Sequence, residues 1–352
     1  MSLKDHLLAR IALEGPMRLD AYMQSCLLHP EWGYYTTRDP FGEAGDFTTA
    51  PEISQMFGEL VGLSLAQSWL DQGTPSPFTL AELGPGRGTL MADALRACAR
   101  VPGFIDAAQI CLVEASPTLR AAQRETLAGH DIIWCDSIAD LPDAPLYLIA
   151  NEFFDALPIR QFIRQGDGWA ERLVGAADGK LTFGLGPVAP QPALSHRMED
   201  TKDGDLVELR GPATEVVEEI GDRIAKRSGA ALIIDYGDWR ALGDTLQALE
   251  KHAPADPLAT PGQADLTAHV DFEALALACP CAYSRLAPQG VFLERLGITD
   301  RAQKLAQGLT GAPLQSHIAA HRRLTHPTEM GNLFKVMGLY PTGQAPPPGT
   351  EA

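Results

Sequence analysis

The run Glu82-Leu83-Gly84-Pro85-Gly86-Arg87-Gly88-Thr89-Leu90 sets three glycines on alternate positions directly after a short apolar segment. Glycines so spaced let a backbone turn tightly and approach a ligand with no Cβ in the way. The dinucleotide fingerprint is G-x-G-x-x-G, whereas this loop reads G-x-G-x-G, and Thr89 stands where the third dinucleotide glycine would fall. A structural turn would also account for such a loop taken alone. The next apolar segment, however, ends at Glu114, where a carboxylate can accept hydrogen bonds from both hydroxyls of a ribose. Asp136 and Ser137 follow the third segment, where a nucleobase amine would lie; the fourth ends at Asn151-Glu152 and the fifth at Asp235-Tyr236. Any one of these acids reads equally as a cap or turn residue. Five strands bringing polar groups to one rim, in the order sugar, base, reacting centre, describe a nucleoside-cofactor site, because ligands of open α/β sheets lie outside the carboxyl ends of the strands.

The elements needed to hold that rim are legible. Phe78–Leu83, Ile110–Glu114, Ile132–Cys135 and Leu146–Asn151 read as short buried strands, with helices over Leu90–Arg100 and Pro117–Leu127 between them. Continuous apolar strands alternating with helices predict a parallel sheet covered on both faces, an α/β Rossmann-like fold. Residues 1–75 are expected to form an N-terminal helical cap, with helices at 3–12, 18–28 and 52–71. Residues 76–158 and 212–240 form the expected core, the latter with a helix at 213–227 and a strand at Ala230–Tyr236. Between them, 159–211 reads as a β-rich insertion, with hairpin turns at Gly166-Asp167-Gly168 and Asp178-Gly179. Residues 241–340 are expected to be a mostly helical substrate or lid region, and 341–352, with three consecutive prolines, a disordered tail. The hairpins at 159–187 and the helices after 241 are candidates for a substrate lid or a homodimer contact.

Composition narrows the partners. A formal charge of -17 and a pI of about 4.9 disfavour a surface that tracks nucleic-acid phosphates or anionic lipid and fit a cationic substrate better. No apolar run reaches membrane-spanning length, and the first residues resemble neither a secretion nor an import signal, so a cytoplasmic protein is expected. The six cysteines contain no C-x-x-C pair and are expected to be reduced thiols. His317 and His321 share a helix face at i, i+4, a spacing that can bind zinc, but no third ligand follows and no metal is expected.

Seven segments, spread over almost the whole chain, resemble class I methyltransferases of the mitochondrial complex I assembly factor type, a family that includes the MidA proteins. They are His29–Tyr35, Gly45–Ser54, Glu82–Leu90, Asn151–Pro158, Asp235–Gly237, Asp265–Phe272 and Met330–Lys335. The glycine loop is common to many methyltransferases; the combination of the other segments is specific. The resemblance implies S-adenosyl-L-methionine as methyl donor, S-adenosyl-L-homocysteine as product, and arginine methylation of a protein, with the iron–sulfur/quinone-side subunit of respiratory complex I as the best-known target. Eukaryotic members carry a mitochondrial address, and a chain that starts at the domain suggests a bacterial protein. On the resemblance alone, Asp46 belongs to a loop that folds over the cofactor. The glycine loop and the strand ends supply the rest of the cofactor set: Glu82, Gly84, Gly86, Gly88, Glu114, Asp136, Ser137 and Asn151.

Arginine methylation by that donor is an in-line displacement, so positioning dominates the catalysis. A guanidinium stays protonated in water and spreads its charge. A carboxylate paired with two of its nitrogens orients the third and holds the charge away from it. Glu152 and Asp155, just past the fourth strand, are placed for that role, and another carboxylate or His269 could take the departing proton. Asp155 also reads as a turn residue and His269 as a structural histidine. Two other enzymes and one non-enzyme compete with this reading. In a nucleic-acid N-methyltransferase, Asn151-Glu152-Phe153-Phe154 would stand where an Asn or Asp, two prolines and an aromatic are expected, and here Glu replaces the first proline. A nicotinamide dehydrogenase conflicts with the glycine spacing, and a cofactor-binding assembly scaffold without turnover would not need the carboxylates at 152 and 155.

Overall fold

The computed structural model describes residues 2–37, 49–250 and 253–351. Helix α1 (Leu3–Glu14) opens on a capping box in which Ser2 and Asp5 exchange hydrogen bonds, and it is followed by α2 (Leu19–Leu28) and α3 (Gln55–Asp71). The expected helix at 52–71 is in fact two pieces, because Ser54 is extended and its hydroxyl caps Met56 N, separating Ala50–Ile53 from α3. Next come β1 (Phe78–Leu83), α4 (Thr89–Cys98), β2 (Ala108–Val113), α5 (Pro117–Thr126), β3 (Ile132–Cys135) and β4 (Leu146–Asn151). Four antiparallel strands follow: β5 (Arg160–Gln165), β6 (Gly168–Ala177), β7 (Lys180–Ala189) and β8 (Leu206–Leu209). The chain then runs through α6 (Gly211–Arg227), β9 (Gly229–Asp238), α7 (Phe272–Ala278), α8 (Gln289–Arg295), α9 (Ile298–Ala306), α10 (Gly311–Thr325) and β10 (Phe334–Tyr340).

In the central sheet the order is β10-β9-β4-β1-β2-β3, with every neighbour parallel except β10, which runs antiparallel to β9. Every residue of β1 and β4 is buried, as strands covered on both faces must be. Helices α3 and α4 cover one face, where Gly58 and Gly62 let α3 approach so closely that a Cβ on Gly62 would sit 2.6 Å from the Cβ of Ala94. Helices α6 and α7 cover the other. From β1 the chain steps outward to β2 and β3, then crosses back to β4 on the opposite side of β1. The crevice at the carboxyl ends of β1 and β4 is therefore the topological switch point.

The predicted hairpin turns exist. Asp178 (φ +50°) and Gly179 (φ +71°) link β6 to β7, and Gly166 (φ +56°) begins the link between β5 and β6. This sheet shares a core with α1 and α2 through Leu7, Ile11, Leu19, Val174 and Leu181. Two expectations fail. Residues 241–340 are not simply helical: the segment ends in β10, which pairs with β9 over six residues of the central sheet, and Gln247–Glu250 pairs with Asp265–Thr267. A single strand buried on both faces carries no period to separate it from a buried helix. Nor is the tail disordered. Thr350 is buried, Ser64 Oγ donates to Pro348 O at 2.8 Å, and Pro347 packs against Gly338. The tail thus lies against α3, α8 and β10, with Gly349 beside Phe292 and Leu296. Among the described residues no helix is long and apolar enough to cross a membrane.

Candidate active site

The glycine loop joins β1 to α4 with all three glycines left-handed: Gly84 at φ +59°, Gly86 at +53° and Gly88, the N-cap of α4, at +83°. Only glycine adopts such angles without strain, and a Cβ on Gly84 would come within 3.0 Å of the Phe153 ring. The loop thus presents bare backbone at a helix N-terminus. Beneath it lies a small recess lined by Glu82, Gly84, Gly86, Asn151 and Glu152. Burial pushes the Glu82 carboxyl up to about 8, and its Oε2 has no hydrogen-bond partner among the described residues; the same holds for Oδ1 of Asn151.

On the other side of the loop is a mostly apolar cavity of about 360 Å³. Its floor is made by Gly84, Gly86, Glu114, Asp136, Ser137 and Glu152, and its opposite wall by Leu27 and Leu28 of α2 with Tyr35. The N-terminal helices therefore help to enclose the switch-point crevice. Glu114 is buried, which raises its pKa; its Oε1 accepts from Ser116 N at 2.7 Å and its Oε2 from Gln123 Nε2 at 3.4 Å. Asp136 is held differently: its side chain is 88% exposed and pairs with Arg120 at 2.6 Å. The Ser137 hydroxyl is engaged in a capping box with Asp140.

Glu152 is a non-glycine residue held left-handed, at φ +51°, and only this one of the four such residues described lines the cavity. Its N–H donates to Ile234 O on β9 at 2.9 Å, which turns the side chain across the end of β4. Oε1 accepts from Ala50 N at 3.1 Å and Asn151 Nδ2 at 3.2 Å. Burial, helped by the nearby Asp155 charge, pushes its pKa up to about 7 despite these bonds. The same side chain borders both the cavity and the recess under the loop.

Asp155 and His269 do not reach the cavity. Asp155 lies in the turn after β4, where its carboxyl is hydrogen-bonded by the Tyr236 hydroxyl, lies near Arg210, and is raised by burial; its Oδ1 has no partner among the described residues. His269 stacks edge-on against Tyr236, with ring centroids 5.3 Å apart, and burial and Arg210 lower its pKa, keeping it neutral. Asp235, within β9, receives the backbone N–H groups of Phe154, Asp155 and Tyr236, which fixes the turn behind Glu152. Asp46 lies outside the described residues. His317 faces Ala302 O at 2.9 Å and His321 faces Thr299 Oγ1 at 3.1 Å, so the two histidines hold the helices together.

Residues that the sequence reading passed over complete the site. Tyr35 lines the cavity and donates to Asp265 Oδ1 at 2.9 Å, a pairing 230 residues apart that no local pattern reveals. Gln123 is fully buried in the inward stripe that runs from Leu119 of α5 to Leu127 at its C-cap; a polar residue at such a place was the available signal.

Residues 60–288 match the family described as "Putative S-adenosyl-L-methionine-dependent methyltransferase". Over 97% of its length the chain is 36% identical to the mitochondrial protein arginine methyltransferase NDUFAF7 of Xenopus laevis, covering 84% of that protein. The human counterpart is 35% identical over 96% of this chain and 82% of its own. A crystal structure of a superfamily member from Burkholderia thailandensis bound to S-adenosyl-homocysteine superposes with a TM-score of 0.83 at 30% identity, covering 99% of this chain and 92% of that one. A glycine loop at the switch point, an acid at the end of the second strand and this likeness over nearly the whole chain agree: the protein belongs to the family of S-adenosyl-L-methionine-dependent methyltransferases.

Proposed function

We propose that this enzyme methylates arginine side chains of a protein and that Glu152 is the residue that grips the substrate guanidinium. The observation that carries the reading is the position of the Glu152 carboxylate, half-buried on the wall shared by the cavity and the recess under the glycine loop. The arginine methyltransferases among its relatives support the substrate class.

The residues of the crevice fit the cofactor. Glu114 has lone pairs to spare for the ribose hydroxyls, Asp136 and Ser137 lie where the base would end, and the apolar wall of Leu27 and Leu28 suits an adenine face. Glu82 and Asn151 carry buried unpaired oxygens in the recess, which suit the ammonium of a methionine moiety. Gly84, Gly86 and Gly88 leave backbone open to it. When bound, S-adenosylmethionine supplies a methyl group on a sulfonium, which leaves as S-adenosylhomocysteine after displacement. In its ionised form Glu152 pairs with the guanidinium and orients the free nitrogen. With a pKa near 7 it is also able to hold the proton that the product releases. Asp155 adds negative charge one layer behind, and His269, packed on Tyr236 away from the cavity, takes no part in the proton transfer.

The target implied by the resemblance is the iron–sulfur/quinone-side subunit of respiratory complex I, and a bacterial cytoplasm is the location that goes with it. The test is incubation with isotope-labelled S-adenosylmethionine and a cell lysate, followed by mass spectrometry of labelled proteins. Methyl-arginine on one subunit supports the reading; label confined to RNA or DNA, or none at all, overturns it.

A further inference from the structure

Helix α5 faces the cofactor crevice with two side chains one turn apart. Arg120 Nε donates to the backbone carbonyl of Glu114 at 2.7 Å and its Nη2 to that of Cys135 at 2.9 Å, so this residue ties the ends of β2 and β3 together. Gln123 sits deeper and is fully buried. Its Nε2 donates to Gly86 O at 2.8 Å and faces Glu114 Oε2 at 3.4 Å, while its Oε1 accepts from Trp134 Nε1 at 2.9 Å. One amide thus touches the glycine loop, the acid at the end of β2, and β3.

We propose that Gln123 is the positioning residue of the cofactor site, holding the Gly86 turn and the Glu114 carboxylate at a fixed separation so that both meet one nucleoside. Three facts support this. Glutamine is costly to bury and seldom found fully buried, so an amide with two of its three contacts directed at site elements needs a reason. Glu114 Oε1 is already fixed by Ser116 N, and Gln123 is the side chain that fixes the second oxygen; together they hold the carboxylate plane and leave its remaining lone pairs for the ribose. Finally, Gly86 is left-handed and has no side chain of its own to anchor it, so its peptide is held from outside by the bond to its carbonyl. The side chain does not line the cavity, so Gln123 acts through Gly86 and Glu114.

The inference rests on Glu114 being the ribose-binding acid, and the test separates the two. Gln123→Met keeps length and volume but removes both the donor and the acceptor. Calorimetry should give a Kd for S-adenosylhomocysteine raised by about ten- to a hundredfold, the range for a lost site hydrogen bond. KM for S-adenosylmethionine should rise in parallel, while kcat at saturating cofactor stays within about threefold of wild type, because Glu152 is untouched. A residue that merely supported the fold would lower the melting temperature and leave the Kd of the folded protein unaltered. If the methionine variant does not fold, Gln123→Glu keeps the Trp134 contact and places a second carboxylate against Glu114; the same rise in Kd is expected. Wild-type Kd in a folded Gln123 variant overturns the proposal. If Glu114→Ala is weak beside it, the ribose assignment survives; if both bind as wild type does, that assignment falls too.

Discussion

The Glu152 carboxylate accepts a hydrogen bond from the backbone nitrogen of Ala50 at 3.1 Å, joining the end of β4 to the helix Ala50–Ile53 across 102 residues of chain. The N-terminal region is thereby attached to the reacting centre. Thr89 Oγ1 repeats the link, donating to Glu52 Oε1 at 2.7 Å at the start of α4. The helix before α3 is therefore part of the wall of the site, and the acid between them responds to both.

Replacing Glu152 by Gln keeps the shape and both backbone ties but removes the charge. Affinity for S-adenosylhomocysteine should stay within about threefold, while single-turnover methylation falls by about two to four orders of magnitude. In the wild type the rate should rise with pH through about 7, as the raised carboxyl ionises. The Gln variant should lack that step. Equal rates for the two proteins at pH 8 would remove Glu152 from the guanidinium.

Glu114→Ala deletes a charged acceptor whose neighbours Ser116 and Gln123 hold it in place. Loss of such a bond costs about 1.5–3 kcal/mol, or about ten- to over a hundredfold in affinity. S-adenosylmethionine and S-adenosylhomocysteine should weaken alike, since they share the ribose. Calorimetry on both ligands checks this; an unequal loss would point to the methionine end instead.

At Gly86, with φ +53°, a valine is strained by its backbone and fills the open face of the loop. Gly86→Val should melt cooperatively and show no measurable binding of S-adenosylhomocysteine. Retained affinity would mean that this loop does not meet the cofactor.

The pH dependence of stability reports the buried acids. Glu82 and Glu152 titrate near 8 and 7 in the folded chain against 4.5 in the unfolded one. Between those values the folded state holds protons that the unfolded state has released, so their contribution to stability falls as pH rises and is fully lost only above about 8. The cofactor-free protein should therefore melt at a lower temperature relative to Glu82→Gln at about pH 8.5 than at about pH 5. A constant difference across that range would contradict the burial of the Glu82 carboxyl.

Much of this molecule is determined locally, and those parts are legible without coordinates. Apolar runs at 78–83 and 146–151 are strands buried on both faces, and at six residues each they are too short to read as buried helices. The glycine spacing marked the loop because left-handed backbone is a property of the residue itself. Acids at strand ends placed the rim, Glu114 and Glu152 included. Other features depend on contacts between distant segments. Phe334–Tyr340 becomes the last long strand of the central sheet because β9 offers it an open edge, and the proline tail is ordered because Ser64 of α3 and Gly338 of β10 hold it. Folding also decides which acids reach the cavity: Glu152 does, while Asp155, three residues on, turns behind it toward Tyr236 and Arg210. Sequence spacing places a carboxylate near an edge; the direction it faces is set by backbone bonds to Ile234 and Asp235 that only the packed sheet supplies.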